Sequence, residues 1–153
     1  MPYTGSQAQS GALTVLAINT GTVQTPVYTT VGEITDLNQT GKANKTDDTT
    51  NLNSTAEEFI PTLLSPGGFN VTLNRVPGDA GQTAVLASFN GKTVVLYKIT
   101  LQKSATQTTT GDSYAFSALV EEWNDLGSVK ADKKIATQGK LKVSGPITFT
   151  AGT

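Results

Sequence analysis

Paired carboxylates are the first place to look for chemistry in this sequence. Glu57-Glu58 and Glu121-Glu122 are the residue types of general acid–base work, and Asp47-Asp48 with Asn44 and Asn51 offers oxygen ligands for a hard cation such as calcium. The spacing does not suit either task. Neighbours along a strand face opposite ways, so Glu121 and Glu122 are not set to flank one bond. The Asp-rich stretch lacks the periodic oxygens and closing Glu of an EF-hand loop. Cys and His are both absent, which removes the thiolate nucleophile, the commonest general base and the commonest metal ligand. Gly67-Gly68 and Gly78 read as turn residues, because no Gly-Lys-Ser/Thr follows them to cradle a phosphate. Trp123 with Tyr114 and Phe116 could make a sugar platform, but aromatics in an alternating run more often fill a core. The reading is a chain that is not an enzyme and needs no cofactor or metal.

The elements that would position these groups are mostly strands. Leu13 to Asn19 and Val27 to Leu37 both read as strands, and Gly32 inside the second marks a bulge or a close backbone approach. Phe69, Val71 and Leu73 alternate with Asn70, Thr72 and Asn74 over Phe69 to Val76. Thr93 to Leu101 follows. In Tyr114 to Asp125, Tyr114, Phe116, Ala118 and Val120 share one face, while Ala115, Ser117, Leu119, Glu121 and Trp123 share the other. In the final strand, Lys140 to Thr150, Leu141 and Val143 point inward, and Pro146 marks a bulge or an edge.

One helix is signalled, over about 80 to 90. Asp79 can cap it, Gln82 can return a bond to the cap's own N–H, Val85, Leu86 and Phe89 form its buried stripe, and Asn90-Gly91 supplies a left-handed stop. The fold class is therefore mainly β: an antiparallel β-sandwich or barrel with one flanking α-helix. Residues 1 to 10 are small and polar and read as a flexible N-terminal arm around a single domain spanning 1 to 153.

The stretch from about 38 to 65 fits this scheme poorly. Asn53-Ser54-Thr55-Ala56-Glu57-Glu58 reads like a helix opening, yet Pro61 and the Pro66-Gly67-Gly68 turn cut it short. Loops beyond about 12 to 15 residues are uncommon in compact domains and tend to be functional. This one carries Leu52, Phe59, Ile60, Leu63 and Leu64, a large apolar area to leave in water. A partner is the economical explanation.

Composition narrows what that partner can be. The formal charge is −1, from 11 Lys and Arg against 12 Asp and Glu, so the long-range field that gathers polyanions on a basic protein is missing. Charged residues make up 15%, against about 25% in an average protein. Thr is the most frequent residue, as suits half-exposed pleated surfaces. The start shows no basic segment followed by an apolar core, and no apolar run approaches membrane length, which points to synthesis in the cytoplasm.

In order and spacing, several segments together resemble the tail tube proteins of long-tailed bacteriophages, the siphophages. They are Thr29 to Leu37, Asn53 to Pro61, Gly68 to Leu73, the helix around Ala84 to Phe89, Phe116 to Val120 and Leu141 to Gly145. The resemblance covers most of the chain from about 13 to 151, departing from the family pattern at Asn53 and Thr62. It implies a subunit of stacked, hexameric rings that form a hollow tube through which DNA leaves the capsid. It also implies other tail proteins as partners (tape measure, tail terminator, distal tail), a location in the virion tail, and no membrane. Contractile-tail tubes and type VI secretion tubes look similar in architecture. No added C-terminal immunoglobulin-like domain is expected after Thr153.

On this reading the segment 38 to 65 is an assembly arm. Its interface residues would be Leu52, Asn53, Ser54, Thr55, Glu57, Glu58, Phe59, Ile60, Leu63 and Leu64. A bore that conducts DNA must not hold it, so Asp, Glu, Asn, Ser and Thr should line the lumen. From a different class, a monomeric carbohydrate-binding β-sandwich also fits the strand pattern.

Overall fold

Alternation of side chains dictates which face of each strand is buried. The computed structural model describes residues 9–153, so residues 1 to 8 of the expected N-terminal arm lie outside the described residues. The strands are β1 (Val15–Asn19), β2 (Tyr28–Thr30), β3 (Ile34–Thr40), β4 (Ala43–Asp48), β5 (Phe59–Ser65), β6 (Gly68–Asn74), β7 (Val94–Thr100), β8 (Ser113–Ser128) and β9 (Ala136–Thr150). The helix α1 (Ala80–Gly91) lies between β6 and β7. Seven strands form one sheet in the order β2-β1-β7-β8-β9-β6-β3, and β4 and β5 form a separate two-stranded sheet. Every ladder is antiparallel.

The sheet is rolled. Its two edge strands, β2 and β3, are joined by Val31, Gly32 and Glu33 alone. Such a link spans at most about 14 Å at roughly 3.5 Å per residue, so the edges must curl toward each other. They form no ladder, and the roll stays an open barrel. The single strand expected over Val27 to Leu37 is thus two edge strands. The break falls where Glu33 takes a left-handed φ of 59°. Gly32 makes the close approach its sequence position suggested: a Cβ there would sit 2.6 Å from the Asp79 carboxylate.

Inside the roll, Leu16, Ile18, Leu73, Tyr97, Ile99 and Leu141 are among the buried core residues. Phe116 lies between two other rings, 4.7 Å from Phe69 and 5.9 Å from Tyr97 between centroids. In β9, Leu141 and Val143 are buried while Lys140 and Lys142 are exposed. Three residues, Gly145, Pro146 and Ile147, lie between two ladder pairs where β8 has only Phe116, so Pro146 sits in a bulge.

A second bulge changes the reading of Trp123. Val120 faces Leu141 and Glu122 faces Lys140, leaving Glu121 as the extra residue. The inserted residue reverses the alternation, so Trp123 turns to the core side and packs its ring against Gly139, where a Cβ would come within 2.6 Å of it.

The helix packs on β8, β1 and β2. Asp79 caps it, its Oδ2 accepting from the Gln82 N–H at 2.9 Å and from the Gly32 N–H at 3.3 Å. Val85 is buried while Leu86 and Phe89 are half-buried. Gln82 does not return a bond to the cap. Its side chain is itself buried and accepts from the Val76 N–H (3.1 Å) while donating to Gly32 O (3.1 Å) and Asn74 O (3.0 Å). It joins the edge-to-edge link, the end of β6 and the helix. The left-handed stop falls at Lys92 (φ 52°) and not at Asn90-Gly91, because Ser88 O accepts from the Thr93 N–H and closes the turn one residue later.

Candidate assembly surface

The arm is the outer half of one long hairpin. β3 and β6 pair up to Thr40 opposite Gly68, and β4 and β5 resume in the same register with Ala43 opposite Ser65. Between the two halves, Gly41 (φ 72°) and Gly67 (φ 73°) take left-handed conformations side by side. Each would strain an L side chain, so this paired kink lets the outer half leave the sheet as a separate ribbon. The loop or arm expected from about 38 to 65, with Thr46 to Leu52 able to extend as a hairpin arm, is strand over Ala43–Asp48 and Phe59–Ser65.

The helix opening expected at Asn53 to Glu58 does not form. Side chains satisfy the backbone of the tip instead: Asp48 Oδ1 accepts from the Thr50 N–H (2.8 Å), Ser54 Oγ from the Asn51 N–H (3.1 Å) and Asn51 Oδ1 from the Asn53 N–H (3.0 Å). Short polar side chains compete with helical bonding in this way. The bonds from Thr50 hold the Asp48 carboxyl below its usual range.

The sequence-expected interface residues all lie on this ribbon. Asn53, Ser54, Thr55, Glu57 and Glu58 occupy the tip with Leu52, which is fully exposed, and Phe59, Ile60, Leu63 and Leu64 lie along β5. Leu63 is 75% exposed, and Phe59, Ile60 and Leu64 are about half exposed (54%, 49% and 55%). An extra residue at Thr62-Leu63 brings Phe59 and Leu64 to the same face, with Ile60 on the other. The ribbon is thus apolar on both faces, and none of these side chains reaches the core. A two-stranded ribbon is marginal by itself in water.

Elsewhere, the outer face of β3, β6, β9 and β8 is polar. The row Asp36, Thr72, Gln138 and Asn124 runs beside the row Asn38, Asn70, Lys140 and Glu122. Lys140 is held by Glu121 at 3.4 Å, and Asn124 Nδ2 donates to Glu122 Oε1 at 2.9 Å. The two glutamates are engaged separately. A cavity of about 770 Å³ opens at one side of the roll among Leu13, Leu16, Leu37, Leu101, Tyr114 and Ile147. Its lining includes Lys42 and a buried Thr14 hydroxyl with no partner among the described residues, and Asp36 is the one carboxylate-bearing residue at it. Among the described residues no three acidic side chains converge as metal ligands.

No protein-family model matches the sequence, and no curated protein matches it. Solved structures do match along almost the whole chain. The SPP1 tail tube superposes with a TM-score of 0.72 at 13% identity, covering 95% of this chain and 80% of that one. The tail of an empty gene transfer agent particle gives 0.71 at 13% identity, covering 94% of this chain and 100% of that one. The sheath/tube terminator structure of an extracellular contractile injection system gives 0.71 at 10% identity, covering 97% and 100%. What is shared at such identities is the fold: a rolled antiparallel sheet with one helix.

Proposed function

We propose that this chain is a tail tube subunit, a structural protein of the virion tail that assembles into rings stacked as a hollow tube. The observation that carries the reading is the β4–β5 ribbon, which projects Leu52, Phe59, Ile60, Leu63 and Leu64 into solvent with nothing from its own core to cover them. Exposed apolar area gathered on one projection signals a partner. A copy of the same molecule is the partner that fits a fold shared with tail tube and tail structures.

The polar face of β3, β6, β9 and β8 supplies a wall suited to a bore. On this face Lys140 is neutralised by Glu121, and the remaining cation, Lys142, is outnumbered by Asp36 and Glu122. Non-specific DNA sites, at dissociation constants of about 10⁻⁴ to 10⁻⁶ M, are each worth roughly 5 to 8 kcal/mol, and repeating them along a tube would stall transit. A wall without a basic stripe passes DNA.

The test is an electron micrograph of the concentrated protein. Rings or tubes with a central hole are expected, and a particle that stays monomeric even with the other tail components present would overturn the proposal. The double change Phe59→Asp with Ile60→Asp should leave the subunit folded and abolish rings, because an unpaired charge buried at each repeated contact costs several kcal/mol.

A further inference from the structure

A second projection lies at the far end of the sheet from the arm. The arm leaves at the Gly68 end of β6, whereas the turn between β8 and β9 leaves at the Asn74 end, where Asn74 faces Ala136 and the Arg75 N–H donates to Ile135 O at 3.0 Å. The two roots are about 20 Å apart, six steps of roughly 3.3 Å along β6.

Both projections are apolar and oppositely charged. The arm carries Asp47, Asp48, Glu57 and Glu58 around exposed Leu52 and Phe59, with Lys45 as the one cation on β4. The turn carries Lys130, Lys133 and Lys134, joined by Arg75, around Leu126 (67% exposed) and Val129 (60% exposed), with Asp125 and Asp132 as its carboxylates. Among the described residues none of these charges is in an ion pair, the single one being Glu121–Lys140.

We propose that these are the two halves of one interface: the acidic arm of one copy docks on the basic β8–β9 turn of a second copy, leucine and phenylalanine packing at the centre and charges at the rim. An apolar centre with a polar rim is the usual anatomy of protein contacts, and complementary charge fixes register and partner. Because the two halves differ and lie at opposite ends, the contact is head-to-tail and repeats from copy to copy, as a ring or a column requires. The inference rests on the tube-subunit reading and names the surface that receives the arm.

A charge swap in two full-length variants tests it. One carries Asp47→Lys, Asp48→Lys, Glu57→Lys and Glu58→Lys. The other carries Lys130→Glu, Lys133→Glu and Lys134→Glu. Each should be folded by circular dichroism and fail to assemble alone, its affinity for itself reduced more than about tenfold by like charges facing each other. Mixed in equal amounts they should assemble again, since each basic arm now meets an acidic turn and each acidic arm a basic one. If either folded variant assembles alone as the wild type does, or if the mixture stays unassembled by sedimentation, the pairing is wrong. A wild type that fails to assemble with the other tail components present overturns the tube reading itself, so the two failures are distinguishable.

Discussion

Gln82 shows how much one side chain can hold. Its amide serves Val76, Gly32 and Asn74, backbone groups from the link between β2 and β3 and from the exit of β6. Gln82→Leu should cost about 2–3 kcal/mol, because it leaves part-buried donors and acceptors without partners; urea unfolding midpoints would measure it. Tyr97 is the opposite case. Its ring is fully buried and its hydroxyl makes no hydrogen bond. Burial pushes the phenol up to about 12. The folded state therefore keeps the proton that the unfolded chain releases near pH 10, and stability present below pH 10 is lost as pH rises toward 12. Tyr97→Phe should remove that part of the alkaline decline while changing stability at pH 7 by less than about 1 kcal/mol, as parallel unfolding curves from pH 7 to 12 would show.

Among the elements, those whose side chains alternate over a buried face were legible in the sequence, because one face has to be apolar wherever the other meets water. Phe69, Val71 and Leu73 belong to this class, while the cap at Asp79 and the bulge at Pro146 were legible from the local chemistry of those residue types. Elements fixed by an event elsewhere were not legible. Trp123 changed sides because Glu121 is an extra residue in the ladder, and Val27 to Leu37 split because its two ends pair with strands at opposite edges. The candidate interface was legible as a list of residues but not as a shape. Asn53 to Glu58 carries helix-opening residue types, and only the bonds among Asp48, Thr50, Asn51 and Ser54 make it a ribbon tip. The arm is also separable. Joining Lys42 directly to Pro66 would leave Thr40 and Gly68 connected by Gly41-Lys42-Pro66-Gly67, a four-residue hairpin loop. This variant should keep the sheet's circular dichroism and lie within about 1 kcal/mol of the parent in stability, since the removed residues bury little core, yet sediment only as a monomer.

For the whole molecule, near-neutrality is a property of how charges are placed as much as of their count. The formal charge of −1 coexists with an acidic end, a basic end and a polar wall between them. Assembly driven by those ends should weaken as salt rises from about 0.05 to 0.5 M, because exposed charges are screened; light scattering across that range would follow it. The wall should ignore DNA at physiological salt. Glu121→Lys with Glu122→Lys would line up new cations beside Lys140 and Lys142, and gel-shift experiments should then detect binding that the parent lacks.

The place of β9 in the sheet has a consequence for how the chain folds. It lies between β8 and β6, so β2-β1-β7-β8 on one side and β6-β3 on the other share no ladder until it arrives. On the ribosome, β9 is translated after every strand it must unite. Through synthesis the nascent chain holds two unjoined fragments, each with a raw edge facing the slot that this strand will fill. Pairings over such long sequence separations place folding in the millisecond-to-second range, and the slot stays open until β9 has been made. Synthesis of the chain with a chaperone, or with a peptide able to occupy that slot briefly, should therefore raise the yield of folded protein.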